Sequence, residues 1–386
     1  MYMVESSTDL IAHLLGASKN QQYLPEELLH SITDTEGGIS AGELAEDFGM
    51  SRASVHRKLD PLVNHFLLYS QSGEFSKTGL TDIILREIDR AVGEPNTTRS
   101  DLRFLFGSPT RISLLRSFKA APASKAELSH GEEAPSRATV YRNFNEFDDR
   151  GWVTSDEDGR YCLTDLGANL LAATDSLLER TDAAMSRAEV LYGCGDLEDI
   201  PLLALSDGEM FVDTPDSPHE SLGAVRQLAQ SNVDKLCVIQ SFVSYEYADA
   251  WDSVIRGDAQ IDMIVTEPVL YNLPTEGPYK EHVRRGLEAR NFTLLVEPDR
   301  DRFPYALGII DDEILIFGPP HVEAAKNFDR TGTLITQNEE LVSWGQQKFQ
   351  EYRQQARQPG NHVITRIIEK IQDSVSSALP RQKQDR

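Results

Sequence analysis

A seven-residue stretch that occurs twice decides the fold. It reads SRASVHR at residues 51–57 and SRATVYR at residues 136–142, with five identical positions. A second pair of blocks follows, GEFSKTGL at residues 73–80 and GRYCLTDL at residues 159–166. The first pair is offset by 85 residues and the second by 86, which is the shift that one inserted loop residue produces. The first half of the chain therefore contains an internal duplication.

Each copy shows the same order of local patterns, which is a helix, a helix-turn-helix pair and a hairpin. The predicted helices are residues 25–33, 40–49 and 51–66 in the first copy and residues 109–120, 125–130 and 137–150 in the second. The predicted hairpins pair residues 67–70 with 75–78 and residues 152–154 with 160–163. This order is that of a winged helix-turn-helix domain, so we expect two such domains in tandem.

The second helix of each helix-turn-helix pair carries polar residues outside its apolar stripe. The candidate DNA-binding residues on these helices are Ser51, Arg52, Ser54, His56, Arg57, Lys58, Ser136, Arg137, Thr139, Tyr141, Arg142 and Asn143. From a helix in the major groove, arginine can pair with guanine, asparagine with adenine, and serine or threonine with phosphate. A solvated polar face is the alternative for a single helix, but repetition at matching positions favours double-stranded DNA as a partner.

The predicted wings add two basic residues. Lys77 and Arg160 are candidate contacts to phosphates or to the minor groove, with an ordinary surface role as the alternative. The end of the second wing, YCLTDLG at residues 161–167, resembles the ending of ArsR/MarR-like winged-helix domains of archaeal and bacterial regulators. The first copy departs from that ending, because residues 75–79 read FSKTG.

The charge distribution decides where DNA could bind. The 386 residues hold 62 acidic and 38 basic side chains, a formal charge of −24, which by itself argues against nucleic-acid binding. Residues 51–150, however, hold 15 basic and 13 acidic side chains, so this stretch of the chain is close to neutral. Only 11 of the basic residues are lysine. An acidic surface poor in lysine suits a salt-rich cytoplasm, and we expect a halophilic protein.

Other classes of protein are disfavoured. There is no apolar run long enough to cross a membrane and no basic region before the first apolar stretch, so we expect neither a membrane span nor a signal peptide. Three cysteines, Cys162, Cys194 and Cys237, lie more than 30 residues apart, which disfavours a disulfide framework or a structural zinc site. We expect no metal and no cofactor.

The second half alternates predicted strands and helices. The strands are residues 201–204, 235–240, 261–266, 293–296, 306–310 and 314–317, and the helices are residues 221–231, 245–257 and 279–289. A long amphipathic helix precedes them, broken near Gly193–Gly195. Asp311, Asp312 and Glu313 stand between two apolar runs and predict a hairpin turn. The pattern indicates an α/β layer structure.

Several motifs of this half resemble the middle domain of archaeal methanogenesis-regulator-type transcription factors. They are VDTP at residues 212–215, SPH at 217–219, IDMIVTE at 261–267, FPYALGIIDD at 303–312, WG at 344–345 and FQEYR at 349–353. The resemblance covers roughly residues 196–357. It implies a phospholipase-D-like α/β sensor domain that binds an effector or a partner. The chain departs from the usual domain order of this family, because it has two amino-terminal winged helix-turn-helix domains where one is typical.

Candidate effector contacts lie where predicted strands end. Gln240, Ser241, Thr266 and Glu267 follow two neighbouring strands, at the edge where α/β sheets gather ligands, although capping and turn roles are the alternative. We predict no catalytic residue, because the α/β half contains no His-x-Lys pair for phospholipase-D-type phosphoryl transfer.

The predicted organisation has four parts. They are a winged helix-turn-helix domain at residues 1–95, a second with a linker helix at 96–192, an α/β sensor domain at 193–358 and an amphipathic helix at 359–386, as either a dimer helix or a strap over the body. The fold class is mixed α+β and α/β.

The predicted function is that of a cytoplasmic, homodimeric transcriptional regulator whose DNA binding responds to an unknown small-molecule or protein effector. The alternative is a protein-interaction adaptor whose winged helices bind other proteins. A hydrolase without a recognisable nucleophile is a third, weaker reading.

Overall fold

A computed structural model describes residues 6–17, 25–32, 38–130, 134–157, 159–195, 197–242, 244–273, 280–320 and 330–378. The chain divides into two compact units, residues 1–186 and 187–386. Both units combine helices with strands, so the mixed helix-and-sheet class predicted from the sequence is confirmed.

The first unit contains both copies of the repeat. Its helices are α1 (Ser7–Leu14), α2 (Pro25–Ser31), α3 (Ala41–Asp47), α4 (Arg52–Asn64), α5 (Gly79–Gly93), α6 (Arg99–Phe106), α7 (Pro109–Ala120), α8 (Arg137–Asp149) and α9 (Asp165–Met185). Its strands are β1 (Ile39–Ser40), β2 (Leu68–Gln71), β3 (Glu74–Lys77), β4 (Val153–Ser155) and β5 (Tyr161–Leu163).

The first copy places α3 and α4 in succession, followed by the hairpin β2–β3. A capping box precedes α3, because the Ser40 hydroxyl accepts from the Glu43 amide and the Glu43 carboxylate accepts from the Ser40 amide. β3 pairs antiparallel with both β1 and β2, giving a three-stranded sheet in the order β1-β3-β2.

The second copy lacks a full counterpart of α3. A helix over residues 125–130 was predicted, and this is wrong, because the segment forms one 3-10 turn, Glu127–Ser129. Ala123 is held in a β-bridge with Tyr161, and His130 is extended, so space remains for a single turn between them. The ring of Phe144 packs edge-on against the rings of Phe118 and Tyr161 in the core of this copy.

The junction between α4 and its hairpin has the same structure as the junction between α8 and its hairpin. Phe66 and Gly151 hold equivalent places with positive φ, 61° and 70°. The hydroxyl of Thr78 donates to the Phe66 carbonyl at 2.6 Å, and that of Thr164 donates to the Gly151 carbonyl at the same distance. The threonines at the wing ends therefore close equivalent turns in both copies.

The residue three positions after this threonine differs between the copies. A Cβ added at Gly167 would lie 2.8 Å from the carbonyl carbon of Trp152 and nearer still to its oxygen, so only glycine fits there. In the first copy the equivalent residue is Thr81, which is fully buried and donates its hydroxyl hydrogen bond to the Leu67 carbonyl.

Long helices follow both hairpins and pack on each other. Arg180 of α9 donates to both carboxylate oxygens of Glu87 of α5, at 2.5 and 3.3 Å. Glu87 is 2% exposed, and Arg90 approaches the same carboxylate at 3.4 Å. A buried carboxylate requires such partners, so this ion pair connects the ends of the two copies.

The second unit is a seven-stranded mixed sheet with helices. Its strands are β6 (Glu209–Asp213), β7 (Lys235–Gln240), β8 (Gln260–Thr266), β9 (Phe292–Glu297), β10 (Ala306–Ile310), β11 (Ile314–Gly318) and β12 (Thr331–Thr336). Its helices are α10 (Ala188–Leu191), α11 (Glu220–Ala229), α12 (Tyr245–Ala250), α13 (Asp252–Arg256), α14 (Glu267–Tyr271), α15 (Lys280–Glu288), α16 (Glu339–Gln355) and α17 (Asn361–Ala378).

The strand order is β6-β12-β11-β10-β7-β8-β9. β7, β8 and β9 are parallel neighbours, and all other pairs are antiparallel. The predicted turn at residues 311–313 is confirmed, since it joins β10 to β11 with Asp311 and Asp312 at positive φ. Asp311 also accepts from the amides of Asp234 and Lys235, which fixes β7 beside the turn.

Three predictions for this unit are wrong. Residues 201–204 are not a strand, because a 3-10 segment, Leu202–Asp207, occupies them after Pro201. The edge strand β6 and the strand β12 were missed. The helix predicted over 245–257 is divided into α12 and α13, because Trp251 ends the first and begins the second.

Helices cover both faces of this sheet. On one face Gly345 of α16 lies against Leu307 and Leu315, and Arg353 pairs with the buried Asp262 at 2.6 Å. On the other face, Ile367 and Ile371 of α17 pack with Val265, Leu270 and Val296. The described part of the carboxy-terminal helix is thus a strap on its own unit, which was one of the two predicted roles.

Candidate nucleic-acid interface

The helix α4 presents a polar face because its apolar residues are turned inward. Val55, Leu59 and Leu62 are fully buried, whereas Arg52, His56 and Arg57 are exposed. Ser51 is the N-cap, and its hydroxyl accepts from the Ser54 amide at 3.1 Å. The first turn of α4 thus combines free backbone amides with arginine, an arrangement that suits a phosphate.

Local contacts orient two of these side chains. The Arg52 guanidinium lies over Gly42 of α3, where an added Cβ would be 2.9 Å from Nη2. The ring of His56 packs edge-on against Phe75 of the hairpin, with centroids 5.6 Å apart, and its Nδ1 is 3.3 Å from Asp60. Among the described residues, no ion pair holds Arg57, whose charge faces solvent.

The helix α8 repeats this arrangement. Ser136 is its N-cap and accepts from the Thr139 amide at 3.2 Å, while the hydroxyls of the two residues are 2.9 Å apart. Val140, Phe144 and Phe147 are buried beneath it. Arg137 and Arg142 are exposed at the positions that Arg52 and Arg57 occupy in α4.

Tyr141 gives α8 an aromatic group that α4 lacks. Its hydroxyl accepts from Arg137 at 3.2 Å, and the Arg137 guanidinium lies 5.3 Å from the ring centre. The hydrogen bond from Arg137 and its charge lower the pKa of Tyr141. Tyr141 is 38% exposed, an unusual position for a large ring, so arginine and ring form one outward-facing unit.

Two predicted contact residues face inward, which corrects the sequence interpretation. Lys58 is 7% exposed, and burial lowers its pKa. Asn143 is 1% exposed, and its side-chain oxygen accepts from Arg111 Nε at 3.3 Å. Both were assigned to the polar face from helical spacing, but the neighbouring helices of the unit cover them. They support the helices instead of contacting a ligand.

The wing residues are engaged with the protein. Lys77 is 15% exposed and pairs with Asp82 at 3.1 Å. Arg160 donates to the Pro122 carbonyl from Nε and Nη2, at 3.2 and 2.6 Å, and lies 3.5 Å from Glu127. Arg160 remains 45% exposed and borders solvent, whereas Lys77 is largely covered.

Lys125 is a residue that the sequence interpretation did not single out. Its Nζ lies 5.0–5.6 Å from the centres of the Tyr141, Phe144 and Tyr161 rings, and it donates to Asn145 at 3.2 Å. It connects the turn before α8 with the hairpin. No periodic pattern identifies it, because it belongs to an irregular segment.

Two short patterns of hydrolases also lie in the first copy. Residues 38–42 read GISAG, but the Ser40 hydroxyl accepts from the Glu43 amide and so caps α3. Residues 56–58 read HRK, a His-x-Lys triplet within α4, and Lys58 is buried there. Each pattern is accounted for by the local structure of the helix-turn-helix pair.

The four candidate effector residues are spread over two neighbouring strand ends of the second unit. Gln240 lines an apolar cavity and approaches the Met263 sulfur at 3.7 Å. Ser241 accepts from the Phe303 amide at 2.6 Å. Thr266 is fully buried, and Glu267 begins α14, 3.6 Å from Arg357. Of these four residues, Gln240 lines the apolar cavity within the part of the chain that the structure describes.

The described residues contain no helix long and apolar enough to cross a membrane. Within the same part of the chain there is no group of three or more histidine, cysteine or carboxylate side chains placed to hold a metal ion.

Three protein-family descriptions match separate segments of the chain. Residues 27–72 match the IclR helix-turn-helix domain, and residues 99–186 match the HVO_A0261 N-terminal domain. Residues 218–355 match the middle domain of the methanogenesis regulatory protein FilR1, which confirms the resemblance stated for this half. No curated protein sequence matches the chain.

Solved structures resemble the chain only distantly. TrmBL2, described as an archaeal chromatin protein with a novel mode of DNA binding, has 15% identity and a TM-score of 0.31, over 65% of this chain and 94% of that one. The phospholipase D family member Nuc from Salmonella typhimurium has 14% identity and a TM-score of 0.31, over 39% of this chain and 98% of that one. Likeness at this level carries no functional argument.

The family matches coincide with elements of the structure in both units. A helix-turn-helix domain covers α2 to β2, and a regulator middle domain covers most of the second unit. Together they indicate a DNA-binding transcription regulator.

Proposed function

We propose that the chain binds promoter DNA with α4 and α8 as the recognition helices of two winged helix-turn-helix domains. The observation that carries this proposal is the equivalence of the two helices. Each begins at a serine N-cap and exposes arginines at its first and sixth residues, Arg52 with Arg57 and Arg137 with Arg142. Two exposed arginines in the first two turns of a helix can reach a phosphate and a base edge together.

The charge pattern supports this role over that of a protein-interaction adaptor. Residues 51–150, which contain both proposed recognition helices, are near neutral, while the rest of the chain is strongly acidic. A surface that selected only protein partners would have no need to balance its carboxylates with basic residues in this one stretch. DNA binding does need this balance, because each uncompensated carboxylate repels the phosphate backbone.

The second unit is proposed to be a sensor that alters DNA affinity when it binds an effector. Coupling of this kind requires that the effector distinguish two states of the protein. We further propose a cytoplasmic homodimer without enzymatic activity, which would present four recognition helices to an extended operator. The phospholipase-D-like character of the sensor remains part of the proposal.

Genome-wide binding followed by anisotropy measurements on the recovered DNA tests the proposal. Wild-type protein should bind a recovered fragment far more tightly than an unrelated duplex of equal length. The quadruple variant Arg52→Ala, Arg57→Ala, Arg137→Ala, Arg142→Ala should lose that preference. Arg226→Ala is the control, since Arg226 is an exposed arginine of α11 that pairs with Asp249. Equal binding by both variants would favour the adaptor.

A further inference from the structure

The second unit contains an apolar cavity between one face of its sheet and three helices. The cavity has a volume of about 130 Å³. Its floor is formed by β7, β8 and β9, and its walls by α12, α13 and α15. It lies beside the strand end at Gln240 and away from Ser241, Thr266 and Glu267.

The lining is almost wholly aliphatic and aromatic. The residues that define its floor are Val238, Met263, Val265, Phe292 and Leu294. Polar groups come from Gln240, Ser244, Tyr247 and His282, and among the described residues no lysine, arginine, aspartate or glutamate lines the cavity. Burial raises the pKa of Tyr247 to about 12, so its hydroxyl stays neutral. The described lining therefore contains no permanently charged side chain to pair with an ionised ligand.

The space is too large for an ordinary packing defect. Protein interiors have few voids bigger than a water molecule, and an empty apolar cavity is destabilising in proportion to its volume. A second cavity of about 110 Å³ adjoins the first, and Tyr247 and Trp251 line both. These two rings belong to the short segment where the chain divides α12 from α13.

The dimensions and the polar groups define the class of ligand. An apolar cavity of about 150 Å³ is known to take benzene, so a volume of about 130 Å³ suits a single aromatic ring. Gln240 offers both a donor and an acceptor, and the contact of its Nε2 with the Met263 sulfur, at 3.7 Å, is a weak one. A hydroxyl or amide on the ring would replace that contact with a stronger hydrogen bond.

We propose that this cavity is the binding site for a small uncharged aromatic ligand whose polar group hydrogen-bonds to Gln240. Binding stands on the geometry of the second unit alone. Only the effect of the ligand on DNA affinity rests on the proposed function.

Isothermal titration of the full chain with phenol, toluene and benzoate tests the site. Phenol should bind roughly fivefold more tightly than toluene, the factor that one neutral hydrogen bond provides. Benzoate should bind at least tenfold more weakly than phenol, because its carboxylate would be desolvated without a cation. Absence of phenol binding, or benzoate binding as tight as that of phenol, would overturn the proposal.

Variants locate the binding within the cavity. Gly286→Val and Ala248→Leu extend side chains into the space and should each abolish phenol binding. A Cβ at Gly286 meets only the Phe292 ring, at 3.8 Å, so the backbone tolerates the change. Gly223→Ala is the matched control, since no atom lies within 4 Å of its added Cβ. Full phenol affinity in both filled variants would place the binding elsewhere.

Gln240→Leu tests the polar contact without filling the cavity. It should remove the preference for phenol over toluene while toluene affinity stays constant, and circular dichroism should confirm that the variant is folded. An unchanged preference would contradict the role given to Gln240. If the variants that fill the cavity unfold, Gln240→Leu still tests whether phenol binds beside Gln240.

A final measurement separates the ligand site from DNA recognition. The affinity for a recovered promoter fragment is compared with and without saturating phenol. A change in affinity supports a regulatory site. Phenol binding with unchanged promoter affinity would leave the cavity as a ligand site and refute its coupling to DNA binding. A loss of DNA binding in the arginine variants tests only the proposed function.

Discussion

The Thr81 side chain donates a hydrogen bond to the backbone carbonyl of Leu67, at the place where the second copy packs Gly167 against the carbonyl of Trp152. The helix that follows the hairpin thus meets the same backbone carbonyl in both copies, through a threonine side chain in one and a glycine in the other. In the second copy the helix approaches the carbonyl so closely that no side chain fits. In the first, the residue at this place carries a side chain whose hydroxyl reaches the carbonyl. Threonine therefore stands in the first copy where the second copy requires glycine.

Gly167→Ala should destabilise the first unit by about 3 kcal/mol, the upper part of the range for overpacking. The added methyl would collide with backbone atoms of Trp152, which cannot rotate away. Gly93→Ala is the control, because no atom lies within 4 Å of the added Cβ and alanine favours a helix. Thermal or urea unfolding measures both. Equal stability of the two variants would contradict the close approach.

Thr81→Val should cost about 1 kcal/mol, the usual contribution of one neutral hydrogen bond. The loss is limited because the Leu67 carbonyl also accepts from the Thr78 amide at 3.1 Å. Thr181→Val serves as the comparison. Thr181 is equally buried, but its hydroxyl has no partner among the described residues, so this change should be neutral or stabilising. A larger loss at Thr181 than at Thr81 would reverse this assignment.

Adjacent residues of α8 should separate DNA contact from folding. Arg142→Ala should weaken promoter binding roughly tenfold with unchanged stability, since the side chain is exposed. Asn143→Ala should lower the unfolding free energy by about 1–2 kcal/mol and leave the affinity of the folded protein unchanged, because Asn143 is buried against Arg111. Anisotropy titrations paired with urea melts test both, and identical effects would argue against the orientation of α8.

The salt dependence of DNA binding should be shallow. A duplex that is neutralised by several arginines normally releases as many counterions, and affinity falls steeply with salt. Here the surrounding chain carries a large excess of carboxylates, so cations bound between carboxylates and phosphates offset that release. Titrations from low to molar potassium chloride measure the slope. A slope equal to that of a basic repressor with the same contacts would refute the halophilic interpretation.

Asp252 should make the second unit sensitive to acid. Burial raises its pKa, but hydrogen bonds from Arg256 and His282 and the charges of Arg285 and Arg256 outweigh burial and hold the pKa below its usual range. The carboxylate therefore stabilises the fold above the unfolded-state value, about 3.9, and this contribution disappears as pH falls through the lower folded-state pKa.

Asp252→Asn should consequently cost about 2 kcal/mol at pH 7, the scale of charge-assisted hydrogen bonds. The difference from wild type should vanish in strong acid. Asp249→Asn is the control, because Asp249 is 45% exposed and pairs only with Arg226 at 3.4 Å, a surface pair of small effect. A difference that persists at the lowest pH would show that the ion pairs are not its source.

The sequence predicted the elements whose signals are local. The hairpin turn at residues 311–313 and the strands of the parallel part of the sheet follow from nearby residues alone. β6 and β12 were missed because their pairing joins distant parts of the chain, with Asp213 opposite Thr331. Distant pairing leaves little trace in a local pattern.

The candidate interface was also predicted only where helical spacing within one helix decides the exposure of a side chain. Helical spacing separated the buried Val140 and Phe144 from the exposed Arg137 and Arg142. It misplaced Lys58 and Asn143, because residues at the border of a stripe are buried or exposed according to which helix lies beside them. The apolar cavity was not foreseen either, since three helices and three strands must meet to form it.

Arg160 shows how the acidic character of the chain reaches the wing itself. Its guanidinium is already held by the Pro122 carbonyl and faces Glu127. Under the proposed function, DNA phosphates must displace these groups before they can bind Arg160, at an operator and on random sequence alike. The cost lowers both affinities by the same factor, so discrimination between the two rests on the base contacts of α4 and α8 and not on the wing.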